Sequence, residues 1–168
     1  MPAGTFVTFT PDRRDPSWSR TWVPADAHAR PTAFEDLPRS AFQWTNFQVS
    51  IVFKLGGVDF SQSMTVVSVS LLDFVLMLQA AKAGMRHQAT AQVSLSDRGE
   101  QWWFSRQRGV VWLRIRDRFD QAWINGSCPA EVFENLVDQC LSDALRLMCW
   151  EHPELRHNQY LQSLNDVS

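Results

Sequence analysis

Lysine is almost absent: Lys54 and Lys82 are the only two, so the basic charge of this chain rests on arginine. Lys and Arg together number 16 against 18 Asp and Glu, a net charge of −2. A general nucleic-acid binder needs a clear basic excess to neutralise phosphates, so no nucleic-acid partner is expected. Cysteine is scarce as well. Cys128, Cys140 and Cys149 are odd in number and contain no C-x-x-C pair. That suits a reducing compartment better than a disulfide framework. No stretch approaches the roughly 20 apolar residues needed to cross a bilayer. The opening MPAGTFVTFTPDRRDP holds no apolar signal core. The expectation is a soluble, cytoplasmic protein with no membrane partner.

Catalytic signatures are missing too. There is no G-x-S-x-G elbow and no H-E-x-x-H. His152 and His157 miss the i, i+4 spacing that places two ligands on one helix face, and Pro153 separates them. Gly56-Gly57 lacks the rest of a phosphate loop. No catalytic residue, metal or cofactor is therefore expected, and binding is favoured over enzymatic chemistry.

Aromatic residues are abundant by contrast: 8 Trp and 11 Phe beside a single Tyr. A chain of 168 residues with 45% hydrophobic content can bury the core of one domain. Six of its eight prolines, Pro2, Pro11, Pro16, Pro24, Pro31 and Pro38, fall within residues 1–40. This segment reads as an irregular arm. Phe6, Phe9, Trp18, Trp22 and Phe34 give it reason to lie against the remaining domain, residues 41–168.

Phe47, Val49, Ile51, Phe53 and Leu55 alternate with mostly polar residues, the pattern of a strand with one apolar face. Gly56-Gly57 supplies a two-residue turn. It sets Leu55 opposite Val58, Phe53 opposite Phe60, Val49 opposite Met64 and Phe47 opposite Val66. A helix follows, with Ser70 and Asp73 resembling a capping box, a stripe of Leu71, Val75, Leu78 and Ala81, and a stop at Gly84. Four short strands come next, near 90–96, 100–106, 109–116 and 119–125. Asp97-Arg98-Gly99 suits a tight hairpin. The second turn centres on Gln107-Arg108 or Arg108-Gly109, and the third on Asp117-Arg118. A last helix begins near Pro129, buries Phe133, Leu136, Val137, Cys140, Ala144, Leu147 and Met148, and closes at Pro153. Leu155, Tyr160, Leu161 and Leu164 suggest a further short helix. The fold class is α+β, in the order β-β-α-β-β-β-β-α, with one antiparallel sheet of about six strands and two helices on one of its faces.

These turns have a consequence for the tryptophans. Pairing across Asp117-Arg118 sets Leu113 against Ala122, Val111 against Ile124, and Trp112 against Trp123. Trp103 joins them, opposite the aliphatic face that keeps Trp102 and Phe104. A slip of one residue would destroy this grouping. The face then has three readings: cover from the proline-rich arm, a protein-binding or homodimer surface, or the wall of a ligand cavity. Arg114 and Arg116 share it and can stack on the rings.

Charge is also polarised. Residues 82–118 are rich in arginine, whereas Asp120, Glu131, Glu134, Asp138, Asp143, Glu151 and Glu154 face only Arg146. Either both are ordinary solvated faces, or Glu131, Glu134 and Asp138 steer a basic partner.

The hairpin, the helix reading SVSLLDFVLMLQAAKAG, the strands reading EQWWFSRQRGVVWLRI and the helix reading PAEVFENLVDQCLSDALRL together resemble small bacterial immunity proteins of polymorphic-toxin systems. The resemblance spans roughly residues 44–150 and is one of pattern, without a motif that carries over residue by residue. The proline-rich arm departs from it. It implies a cytoplasmic protein that binds and neutralises a toxin by occlusion. Two other classes stand beside this reading: a small apolar-ligand-binding protein or small enzyme, in which a curved sheet closed by the long C-terminal helix grips the ligand, and a homodimeric scaffold joined through the tryptophan face.

Overall fold

The computed structural model describes residues 4–61, 68–97, 99–117 and 121–165. The glycine pair makes the turn its chemistry dictates. Gly56 and Gly57 sit at φ +60° and +86°, and they join strand β2 (Gln48–Leu55) to the short β3 (Val58–Asp59) with Leu55 opposite Val58. Phe60 N–H donates to the Phe53 carbonyl, which continues that register. Further along it changes. Val49 faces Val69 of β4 (Val69–Ser70) rather than Met64. Met64 and Val66 lie outside the described residues. Phe47 stands just before the strand with φ +58°.

The arm contributes a strand that the sequence reading did not anticipate. β1 (Phe6–Pro11) runs antiparallel to β2, from Phe6 opposite Lys54 to Pro11 opposite Val49. β1 to β4 form one sheet of four strands. The remaining strands form a second sheet, in the order β5 (Thr90–Val93), β6 (Trp102–Gln107), β7 (Val110–Arg116), β8 (Trp123–Pro129). The expected single sheet of about six strands is thus corrected to two antiparallel sheets of four. The α+β class stands.

Helix α1 (Leu71–Gln88) passes through Gly84 and ends at Ala89, φ +58°. Gly84 is small for another reason: a Cβ there would lie 2.9 Å from the Ala91 Cβ. Ser70 makes no capping bond and donates instead to the Phe42 carbonyl. Asp73 accepts from Ser96 N–H and Oγ at 2.8 and 2.5 Å. α1 is buried on most of its faces, and Phe74 explains why. Its ring meets Phe53 of the first sheet and Trp102 of the second edge-on, while Phe53 and Trp102 stack on each other at 6.0 Å. One core therefore serves both sheets. Helix α2 (Ala130–Glu151) buries Phe133, Val137, Cys140, Ala144 and Met148, with Phe133 against Phe104. Leu136 and Leu147 of the expected stripe are only half-buried. After Pro153, a short 3-10 turn leads to helix α3 (Gln159–Asn165).

The rest of the arm docks beside β2. Trp22 meets Phe34 and Phe47 edge-on, and His152 stacks on Phe34 at 4.7 Å. Ser17 and Asp15 accept from the Phe47 and Gln48 amides, each at 2.7 Å, and so hold the left-handed Phe47 backbone. His152 Nε2 lies 2.7 Å from the Ser17 carbonyl. Asn158 Nδ2 is bonded to the carbonyls of Phe34, Glu35 and Leu37.

Candidate functional site

Pairing in the second sheet decides which side chains share a face, since directly opposed residues point the same way. Arg108-Gly109 forms the turn between β6 and β7, with φ +48° and +76°, and sets Trp103 opposite Arg114 and Ser105 opposite Trp112. Between β7 and β8 the register differs from expectation. Leu113 faces Gly126 rather than Ala122, and Trp112 faces Ser127 while Trp123 faces Arg116. The connection is wider than a two-residue turn: Asp117 N–H donates to the Ala122 carbonyl. Arg118 lies outside the described residues. The slide from 122 to 126 is even, and an even slide preserves faces. Trp103, Trp112, Trp123 and Arg114 consequently do share one side, with Trp102, Phe104 and Leu113 buried on the other.

The face is open. Trp112 is 48% exposed and Trp123 39%, while Trp103 is half-buried. Trp112 stands free because its neighbours across both strands are serines, too short to cover an indole. Trp103 and Trp123 meet edge-on at 5.2 Å. The Arg114 guanidinium lies 4.1 Å from the Trp123 ring centre and that of Arg116 lies 5.0 Å away, within cation–π range. The outward positions of β5 to β8 carry tryptophan, arginine and neutral residues, and none is Asp or Glu. The arm tryptophans pack elsewhere, against Phe47 and Phe34.

The acidic helix is placed differently. Glu134 accepts from Arg106 at 2.6 Å and lies 4.0 Å from Arg86, and Asp138 pairs with Lys82, whose side chain is 10% exposed. Lys82, Arg86 and Arg106 of the basic stretch thus pair with Glu134 and Asp138 of the acidic one across α1, β6 and α2. Glu131 remains exposed in the first turn of α2, where the helix dipole favours an acid.

A cleft of about 950 Å3 runs from β5 onto the tryptophan face, lined by Thr90, Gln92, Trp103, Trp112 and Arg114 among others, with Ala80, Gly84 and His87 of α1 beyond the strand. Its described lining contains no carboxylate. The sequence reading missed β5 as part of this site, although the polar Thr90 and Gln92 alternating with Ala91 and Val93 mark an uncovered strand. It also missed Trp150, 72% exposed and off the buried stripe of α2.

The thiols are poorly suited to nucleophilic work. Burial pushes Cys140 up to about 12 and Cys128 up to about 11, and raises Cys149 as well, so the thiolate is disfavoured at neutral pH. Among the described residues no cluster of His, Cys, Asp and Glu could hold a metal, and no helix is long and apolar enough to cross a membrane. No protein-family model, curated protein or solved structure matches this chain.

Proposed function

We propose that this chain is a non-enzymatic protein-binding module that takes an acidic segment of its partner on the Trp103–Trp112–Trp123 face. The observation that carries this is the open pair of indoles, Trp112 and Trp123, with Arg114 and Arg116 held at the ring of Trp123 on a face without outward carboxylates. Tryptophan and arginine dominate binding hot spots because they release much water and still donate hydrogen bonds. An arginine already seated at a ring loses less freedom when it meets a carboxylate. Arg114 thus contributes charge selection, and the indoles contribute desolvation energy.

The pairing of Glu134 and Asp138 with Arg106 and Lys82 favours this face over the acidic helix as the contact surface. If the resemblance to immunity proteins holds, the partner is a toxin and the action is occlusion of its working surface.

Fluorescence titration tests the reading, with polyglutamate, polylysine and an oligothymidine as probes. Polyglutamate is expected to shift the tryptophan emission, with affinity falling as salt rises and largely lost in Trp112→Ala and Arg114→Gln. Preference for oligothymidine would assign the face to nucleic acid instead. Polyglutamate binding that survives both substitutions would remove the face from the proposal.

A further inference from the structure

β7 carries three exposed outward side chains in succession, Trp112, Arg114 and Arg116. Alternate residues of one strand stand about 7 Å apart on the same side, so an open indole is followed in line by two guanidiniums. The two arginines converge. Both lie within 5.0 Å of the ring centre of Trp123, which gathers two positive charges on one indole. A ring face attracts a guanidinium without discharging it, and the N–H donors remain available to an anion.

Several other cations of the molecule are matched by acids. Lys82 pairs with Asp138, Arg106 with Glu134, Arg30 with Asp26 and Arg146 with Asp143. Among the described residues, Arg114 and Arg116 form no such pair. One carboxylate answers one of their two charges. A phosphate monoester carries about −1.5 to −2 at neutral pH, with three acceptor oxygens, so a single group answers both. A nucleic-acid phosphodiester carries one charge and ranks with the carboxylate.

The indole ahead of the arginines narrows the class further. Trp103 and Trp123 meet edge-on, whereas Trp112 is 48% exposed, stands between Ser105 and Ser127, and has no ring partner among the described residues. An aromatic ring laid on Trp112 can direct its phosphate along β7 toward Arg114 and Arg116. We infer that the acidic group taken from the partner is a phosphotyrosine, its ring on Trp112 and its phosphate between the two arginines. This rests on the reading of the tryptophan face as the partner-binding surface and specifies the acid that it selects. The face is an open sheet rather than an enclosing pocket, which suits a side chain held out by a partner better than a free small anion. A second copy of this chain does not offer that group: its single tyrosine, Tyr160, is half-buried on α3 beside Phe42.

The test uses the full chain, titration calorimetry and a pentapeptide of threonines whose central residue is phosphotyrosine, sulfotyrosine, phosphoserine or glutamate, taken to roughly millimolar concentration. The phosphotyrosine peptide is expected to bind about tenfold more tightly than the sulfotyrosine peptide, which keeps the shape with less charge, and than the phosphoserine peptide, which lacks the ring. Arg116→Gln is expected to abolish the first preference and Trp112→Ala the second, with circular dichroism unchanged in both variants. Equal binding of the phosphotyrosine and glutamate peptides, with polyglutamate still lost in Trp112→Ala and Arg114→Gln, overturns the inference and leaves the face reading standing. No binding of any peptide or of polyglutamate overturns both. Phosphoserine binding as tightly as phosphotyrosine removes the ring from recognition and overturns the inference. Displacement of the phosphotyrosine peptide by an equal concentration of inorganic phosphate assigns the arginines to a free anion and overturns it as well. A dimer in light scattering that Trp112→Ala dissociates gives the face to self-association, with the same consequence.

Discussion

Gly56 and Gly57 are neighbours with opposite surroundings, and substitution separates their roles. Both have positive φ, so an added methyl group strains the backbone at either site. At Gly57 it meets open space, whereas at Gly56 it drives into the Ser127 carbonyl of β8. Gly57→Ala is expected to cost about 1 kcal/mol and Gly56→Ala about 3 kcal/mol, read as a shift in the urea midpoint. Equal losses would mean that the hairpin tip does not press on the second sheet. The turn itself was legible in the sequence, because paired glycines between alternating apolar runs have few other uses. The contact with β8 was not, since nothing local reports which strand of another sheet arrives there. Gly84 shows the converse. Read as a helix stop, it is a spacer that lets α1 approach Ala91.

At the scale of elements, α1 and α2 are joined by Lys82 and Asp138, and the two ends of that pair are unequal. The Lys82 side chain is 10% exposed and that of Asp138 is 49% exposed. Removing the acid strands an ammonium group in the interhelical layer, whereas removing the lysine leaves an acid that water can reach. Asp138→Ala is expected to lose about 2 kcal/mol and Lys82→Met less than about 1 kcal/mol, with the double substitution recovering part of the Asp138→Ala loss in thermal melts. Additive losses would show that the pair is solvated in solution. The apolar stripe of α2 and the facing of the tryptophans were readable because periodicity fixes faces. The register of β7 against β8 was not, because no glycine marks that turn. The grouping of Trp103, Trp112 and Trp123 survived because the error was even. β1 escaped notice for a different reason: its phenylalanines follow no strict alternation, and its partner β2 lies some forty positions away.

Across the whole molecule, the proline-rich segment is fastened by hydrogen bonds that composition cannot announce. Asn158 is fully buried and spans the carbonyls of Phe34, Glu35 and Leu37, while its own Oδ1 accepts from Leu161 N–H. Asn158→Leu removes this donor from all three carbonyls, with only that of Phe34 keeping a second one, Leu37 N–H, among the bonds described, and is expected to cost about 3 kcal/mol. Limited proteolysis between Pro24 and Pro38 should accelerate in that variant. Unchanged cleavage would mean that the aromatic packing of Trp22 and Phe34 holds the segment unaided.

The bond between His152 and the Ser17 carbonyl joins positions separated by 135 residues. On a ribosome, Ser17 emerges long before His152. Ser17 and Asp15 can meet the Phe47 and Gln48 amides as soon as the start of β2 has emerged, but the His152 contact must wait until the far end of α2 has been synthesised, so the last fastening of the segment belongs among the late events in the maturation of a nascent chain.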